Sequence, residues 1–287
     1  MYRRSVITDE ISQDLDQAID VARAFALDGL EIRSVWDTRV DLLDREAVTA
    51  LRSAADQAGL VICAVAPPFY KCAVDNSIER QEHLEILRRS IDVAQRLGTS
   101  IIRTFTFWRK EPLADVWNRL LDSYAEPIEI ARSAGVTLAI ENEYACHIGT
   151  GRELGRFVAS LDSSVARALW DPCNAFFDEN GEQPFPDGYA AVRSQLAHVH
   201  IKDATRADPS GQPTLTRLGD GEVDVVRQLE ALSRDDYGGF VSLETHWRPD
   251  KLDEATVRLP GGRAFSNRAA AATITCLTNW DAMMQKE

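Results

Sequence analysis

The sequence predicts an α/β protein whose single domain, residues 1–287, forms one closed (β/α)8 barrel. Apolar strand-like runs alternate with amphipathic stretches from end to end, the alternation supplies eight strands, and no Ser/Gly-rich linker divides the chain. A length of 287 residues also accommodates two average domains, whereas one such barrel takes about 250 residues. The regular alternation of strands and helices therefore favours the barrel, whereas length alone does not distinguish one domain from two.

The predicted strands lie near residues 4–8, 29–33, 60–66, 100–107, 136–141, 166–171, 196–202 and 239–244. The predicted helices lie near residues 14–27, 44–58, 79–97, 113–134, 150–162, 187–194, 223–234 and 262–285. Local signals support several of these boundaries. Asp44 and Thr150 are candidate N-caps, Gly59 and Gly98 are candidate helix ends, and Gly135 separates a helix from a strand.

Side-chain parity in the strands supports a barrel independently. In the fifth strand Val136, Leu138 and Ile140 share one face, while Glu141 lies on the other. An apolar face suits outer helices, and the polar face then looks into the barrel, whose mouth can hold water and substrate. We expect charged groups on that inward face to be paired, because an unpaired buried charge is costly.

Composition limits the classes of partner. The formal net charge of −13 and the pI near 4.9 offer no basic field for a polyanion, which argues against nucleic acid as substrate. Five cysteines without a CxxC pair favour a reducing compartment over a disulfide framework. No apolar stretch approaches the roughly 18 residues of a membrane span, so a cytoplasmic protein without a membrane partner is expected.

Four predicted strands each carry a potential metal ligand near the carboxyl end: Glu141, Asp171, His200 and Glu244. A barrel would bring these strand ends together. Three carboxylates and an imidazole provide mixed oxygen and nitrogen ligation for one divalent cation. Mn²⁺ is the first choice, with Co²⁺, Mg²⁺ and Zn²⁺ as alternatives.

Each of these residues also has a simpler structural interpretation. The two glutamates can form salt bridges with arginines at the rim, and Asp171 can serve an Asp-Pro turn with Pro172. His200 alone would more often be a buried core histidine. His198 has the same parity one pleat deeper, where it can support the site by hydrogen bonding or simply pack.

Five motifs occur in a fixed order along the chain: LAIENE, LWDPCN, HVHIKD, LGDGEVD and VSLE. As an ordered set they resemble the sugar phosphate isomerase/epimerase superfamily, the xylose isomerase-like TIM barrels, over nearly the whole length. The resemblance implies that Glu141, Asp171, His200 and Glu244 are metal ligands. It also implies that Glu141 and Glu244 are catalytic and lie on opposite sides of a bound sugar.

Four further residues are predicted to contact substrate: Asn174, Lys202, His147 and Arg103. Asn174 is a departure from the family pattern, since many members carry histidine three residues after the aspartate ligand. Asparagine can donate and accept hydrogen bonds but cannot transfer protons as imidazole does. Alternatives remain for the others, because Lys202 can pair with Asp203, His147 can lie on an exposed loop, and Arg103 can form an internal ion pair.

These observations predict a divalent-metal-dependent sugar or cyclitol isomerase/epimerase that acts through an enediolate-type intermediate. A metal-dependent dehydratase of a keto-cyclitol or related polyol is the close alternative, since the same acidified proton would be removed. A non-catalytic sugar-binding protein is the alternative from a different class, and two acid/base glutamates argue against it. A homo-oligomer suits the family, although no heptad pattern marks an interface.

Overall fold

A computed structural model describes residues 1–207, 211–248 and 266–284. The strands are β1 (Arg3–Ile7), β2 (Gly29–Ile32), β3 (Ser34–Val35), β4 (Thr38–Arg39), β5 (Val61–Val65), β6 (Ile101–Thr104), β7 (Thr137–Glu141), β8 (Ala166–Trp170), β9 (Leu196–Ile201), β10 (Asp203–Thr205), β11 (Thr214–Thr216) and β12 (Phe240–Leu243). The α-helices are α1 (Leu15–Ala24), α2 (Arg45–Ala58), α3 (Ser77–Leu97), α4 (Leu113–Ala134), α5 (Gly151–Leu161), α6 (Pro172–Phe177), α7 (Tyr189–Val192), α8 (Val225–Arg234) and α9 (Ser266–Met284).

Eight strands close into a barrel in the order β1-β12-β9-β8-β7-β6-β5-β2. All registered neighbours in this barrel run parallel. Each of the eight predicted strands overlaps one barrel strand, so the predicted (β/α)8 fold is confirmed. The carboxyl ends of the strands consequently lie at one rim.

The contacts between Cα atoms define two compact units. One contains residues 1–63 and the described residues from 200 onward, in which Ser5 pairs with Ser242 and the amide of Glu244 donates to Ile201 O over 3.0 Å. The other contains residues 64–199, in which β5 to β9 pair in sequence order. β5 and β9 each contribute residues to both units. The single-domain assignment over 1–287 stays a prediction.

The predicted helix boundaries are confirmed where a local signal defined them. The side chain of Asp44 caps α2, and Thr150 caps α5 in a reciprocal capping box with Glu153. Gly59, Gly98 and Gly135 end α2, α3 and α4 in the left-handed conformation that glycine adopts at low cost.

The helix predicted near 187–194 is confirmed, since a 3-10 turn, Arg193–Gln195, directly extends the α-helix Tyr189–Val192. Pro184 and Pro186 flank Phe185, whose extended backbone interrupts the turn Pro184–Gly188 before it. The connection between β9 and α8 contains the hairpin β10–β11, which the sequence did not predict. The start of the helix predicted near 262–285 lies outside the described residues.

None of the five cysteines forms a disulfide bond and all five are buried, which agrees with a chain that has no disulfide framework. Among the described helices, none combines the length and apolarity needed to span a bilayer.

Candidate metal centre

Glu141 and Asp171 lie at the ends of adjacent strands. Glu141 is the last residue of β7, and Asp171 directly follows β8; their exposed fractions are 2% and 0%. Asp171 also caps α6, since its Oδ1 accepts hydrogen bonds from the amides of Cys173 at 2.9 Å and Asn174 at 3.1 Å. The cap uses only one carboxylate oxygen of Asp171. The local turn is therefore compatible with the predicted role of Asp171 as a metal ligand.

Two asparagines connect these strand ends. The Nδ2 of Asn174 donates to Oε1 of Glu141 over 3.1 Å and to the carbonyl of Asn142 over 2.9 Å. Asn142 in turn accepts from the amide of Asp171 at 2.9 Å and donates to the carbonyl of Asp171 at 2.8 Å. Sequence reasoning did not single out Asn142, although its position directly after Glu141 in LAIENE was the available signal.

Arg103 also contacts Glu141. Its Nη1 lies 3.5 Å from Oε2 of Glu141, and its Nη2 donates to the carbonyl of Ala66 over 3.1 Å. Arg103 is only 6% exposed. A buried positive charge is costly unless it is paired, and the carboxylate of Glu141 provides the pairing. The alternative of an internal ion pair for Arg103 is therefore realised, and substrate contact by Arg103 stays a prediction.

His200 lies near the end of β9 between two glutamates. Its Nε2 lies 3.0 Å from both carboxylate oxygens of Glu31, and its Nδ1 lies 3.7 Å from Oε2 of Glu244. The side chains of His200 and Glu31 are both 0% exposed. His198 joins them in a group whose potential ligand atoms lie within 4.8 Å of one another, which supports its predicted auxiliary position.

Glu244, directly after β12, is surrounded by cationic groups. Lys202 Nζ donates to Oε2 over 2.7 Å, Arg33 Nη1 donates to Oε1 over 2.9 Å, and His246 Nε2 lies 3.2 Å from Oε1. Burial opposes ionisation of Glu244, but the charges of Lys202 and His246 hold its pKa well below its usual range. Glu244 is therefore a carboxylate at neutral pH.

Arg33 connects this group to the turn after β1. Its guanidinium donates to Asp9 over 2.9 Å and to Glu10 over 2.7 Å, in addition to Glu244. Burial opposes its charge, yet these three carboxylates raise the pKa of Arg33 well above its ordinary value. Neither Asp9 nor Glu10 was predicted from the sequence, although the acidic pair directly after the first strand, in VITDE, is a usable signal.

The barrel brings the four predicted ligands together. Glu141, Asp171, His200 and Glu244 each offer one ligand atom, these atoms all lie within 4.8 Å of one another, and all four residues are buried. The donor set of three carboxylates and one imidazole fits a divalent cation with mixed oxygen and nitrogen ligation. A second group, Glu10, Glu244 and His246, meets the same distance limit, and Arg33 contacts both of its glutamates.

His147 lies on the loop after β7 and is 1% exposed, so the alternative of an exposed loop histidine is wrong. Its amide donates to Phe107 O over 3.1 Å, and neither ring nitrogen has a hydrogen-bond partner among the described residues. Burial lowers the pKa of His147, and Arg109 and Arg119 lower it further. Contact with substrate stays a prediction.

The fold and the ligand set define a (β/α)8 barrel with a buried carboxylate and imidazole cluster at the carboxyl ends of its strands. The chain belongs to the xylose isomerase-like TIM barrel family, whose model matches residues 19–265.

The chain is similar to two curated enzymes in sequence and to a solved epimerase in structure. It is 26% identical over 253 residues to L-ribulose-5-phosphate 3-epimerase UlaE of Escherichia coli (strain ATCC 8739), covering 83% of this chain and 84% of that protein. It is 24% identical over 146 residues to inosose dehydratase of Serratia proteamaculans (strain 568), covering 46% of this chain and about half, 49%, of that protein. D-psicose 3-epimerase from Clostridium cellulolyticum H10, solved with D-tagatose, superposes with a TM-score of 0.73 at 16% identity, covering 99% and 98% of the two chains. The related proteins are thus enzymes, both epimerases and a dehydratase.

Proposed function

We propose that this chain is a divalent-metal-dependent isomerase or epimerase of a small sugar or cyclitol, acting through an enediolate-type intermediate. The observation that carries the proposal is the convergence of Glu141, Asp171, His200 and Glu244, whose ligand atoms lie within 4.8 Å of one another. The 3-epimerase that matches over 84% of its own length supports the reaction class.

The proposed cation would polarise the substrate carbonyl and stabilise the negative charge that develops there. Glu141 and Glu244 provide carboxylates on separate strands, and one of them removes the proton on the carbon beside the carbonyl. Return of a proton to that carbon from the opposite face inverts its configuration. Return to the neighbouring carbon instead moves the carbonyl, which is isomerisation.

The two glutamates have different surroundings, which suits two roles. Lys202 and Arg33 both donate to Glu244 and favour its ionised form. Glu141 instead accepts a hydrogen bond from the neutral amide of Asn174 and has the guanidinium of Arg103 at 3.5 Å. Because Asn174 cannot transfer protons, we assign proton transfer to the glutamates and substrate hydrogen bonding to Asn174. Lys202, Arg103 and His147 are proposed as further substrate contacts.

Dehydration of a keto-cyclitol or related polyol is the second candidate, and the similarity to inosose dehydratase favours it. The first step is the same removal of a proton beside the carbonyl. A β-hydroxyl then leaves as water after protonation, in place of reprotonation at carbon. The barrel serves both outcomes, since fold does not decide reaction type.

The test begins with the metal content of the purified protein, followed by a panel of ketoses, aldoses and inososes in deuterium oxide. An epimerase or isomerase yields a product of unchanged skeleton that carries solvent deuterium, whereas a dehydratase yields a product lighter by one water. Removal of the cation with a chelator should abolish turnover, and restoring it should recover turnover. A chain that binds no divalent cation and turns over no panel member would refute the proposal.

A further inference from the structure

Glu31 is a buried carboxylate in β2 that the proposed proton transfers do not use. It is 0% exposed, and its backbone pairs with Ile7 of β1 in the barrel. Both of its carboxylate oxygens lie 3.0 Å from Nε2 of His200. A buried carboxylate needs a hydrogen-bonded partner, and His200 provides one.

This contact determines which nitrogen of His200 carries hydrogen. A carboxylate only accepts hydrogen bonds, so Nε2 of His200 is the protonated nitrogen. In the neutral imidazole Nδ1 then retains its lone pair. Nδ1 lies 3.7 Å from Oε2 of Glu244, so the lone pair is on the side of another proposed ligand.

We propose that Glu31 is a positioning residue that fixes the tautomer and ring orientation of His200 for cation binding through Nδ1. The inference rests on the proposed function, because it requires a cation at the four-residue centre. Carboxylates that accept from the second nitrogen of a ligating histidine typically contribute a factor of about 10–100 in metal affinity or activity. Glu31 acts through His200 and does not need to touch substrate.

Another interpretation of the same contact predicts different behaviour. If His200 were only the cationic partner of Glu31, both ring nitrogens would carry hydrogen and neither would bind a cation. Loss of Glu31 would then destabilise the fold, while the cation affinity of the remaining protein would not change. The tautomer and the cation affinity therefore separate the two interpretations.

The first measurement is Co²⁺ titration of the unaltered protein, Glu31→Gln and the control Asp41→Asn. Asp41 is also a buried carboxylate, but it bonds to Arg39 in a short turn. Glu31→Gln should weaken Co²⁺ binding by about 10–100-fold and shift the visible absorption bands of bound Co²⁺. Asp41→Asn should leave both unchanged.

A second measurement works even when Glu31→Gln does not fold. In the unaltered Zn²⁺-loaded protein labelled with ¹⁵N-histidine, the His200 signals, assigned by their loss in His200→Asn, should show a protonated Nε2 and a Zn²⁺-bound Nδ1. Binding through Nε2, or unchanged Co²⁺ affinity in folded Glu31→Gln, overturns the role of Glu31 alone. Absence of cation binding in the unaltered protein overturns the proposed function as well.

Discussion

Lys202 donates a hydrogen bond from its ammonium group to Oε2 of Glu244 over 2.7 Å, and both side chains are almost completely buried. The sequence predicted Lys202 as a substrate contact, with Asp203 as its alternative partner. In the structure it instead pairs with a proposed catalytic carboxylate. Any substrate that Lys202 contacts must therefore bind beside Glu244.

Replacing Lys202 with Met should destabilise the cation-free protein by about 1.5–3 kcal/mol, the range for one hydrogen bond to a charged group, because Glu244 keeps Arg33 and His246 as partners. Urea unfolding of the two proteins measures this difference. The double variant Lys202→Met/Glu244→Gln should lose less stability than the two single losses added together, since the buried charge is then absent. If the losses of unfolding free energy in the two single variants simply add up to the loss in the double variant, Lys202 and Glu244 do not interact.

Glu141→Gln and Glu244→Gln should each abolish turnover while the barrel remains folded. Glutamine preserves size and can accept a hydrogen bond, but it cannot take up a proton as a carboxylate does. Steady-state kinetics on the substrate found in the panel, with circular dichroism as the folding control, tests this. Near-normal activity in either variant would contradict the role assigned to that glutamate.

Free sugars should be better substrates than their phosphate esters. Around the centre, the described cations Arg33, Lys202 and Arg103 already lie beside carboxylates, and the chain carries a net charge of −13. Among the described residues, a phosphate dianion would therefore have to compete with these carboxylates for the three cations, and it would meet a repulsive field. We expect kcat/KM for a free ketose to exceed that of its phosphate by roughly tenfold or more, about 1.4 kcal/mol. Preference for the ester in matched pairs would refute this.

Asp203→Ala should loosen the loop after β11. The carboxylate of Asp203 accepts from the amides of Gly219 at 2.9 Å, Gly221 at 3.0 Å and Val223 at 3.3 Å. Loss of these bonds should lower stability by roughly 1.5–3 kcal/mol, the range for a hydrogen bond to a charged group. Hydrogen exchange should accelerate at all three amides, with the amides of β7 as the internal reference. Unchanged exchange there would show that Asp203 does not hold the loop.

His147 should make the fold less stable at acidic pH. Burial lowers the pKa of His147 in the folded protein, so the unfolded chain binds more protons below about pH 6.5, the ordinary histidine value. The contribution of His147 to stability therefore falls as the pH decreases through that value. Urea unfolding at several pH values should give a flatter profile for His147→Gln. Parallel profiles for the two proteins would contradict the lowered pKa.

The sequence predicted the strands well because their signals are local. An apolar run bounded by turn residues indicates a strand. In the same way, a cap residue such as Asp44 marks the start of a helix, and a glycine such as Gly135 marks its end. The hairpin β10–β11 was missed because its strands contain only three residues each, too few for a periodic pattern.

The sequence by itself determined the alternation of eight strands with helices and the four potential metal ligands at strand ends. Hydrophobic periodicity and residue type are local properties that can be read without a structure. Only the tertiary structure decided the partners of those residues. Glu31 contacts His200, 169 positions away, and Arg33 contacts Glu244, 211 positions away. Closure of the barrel makes these pairs, because burying a charge requires an opposite charge or hydrogen bond nearby in space, wherever that partner lies in the sequence.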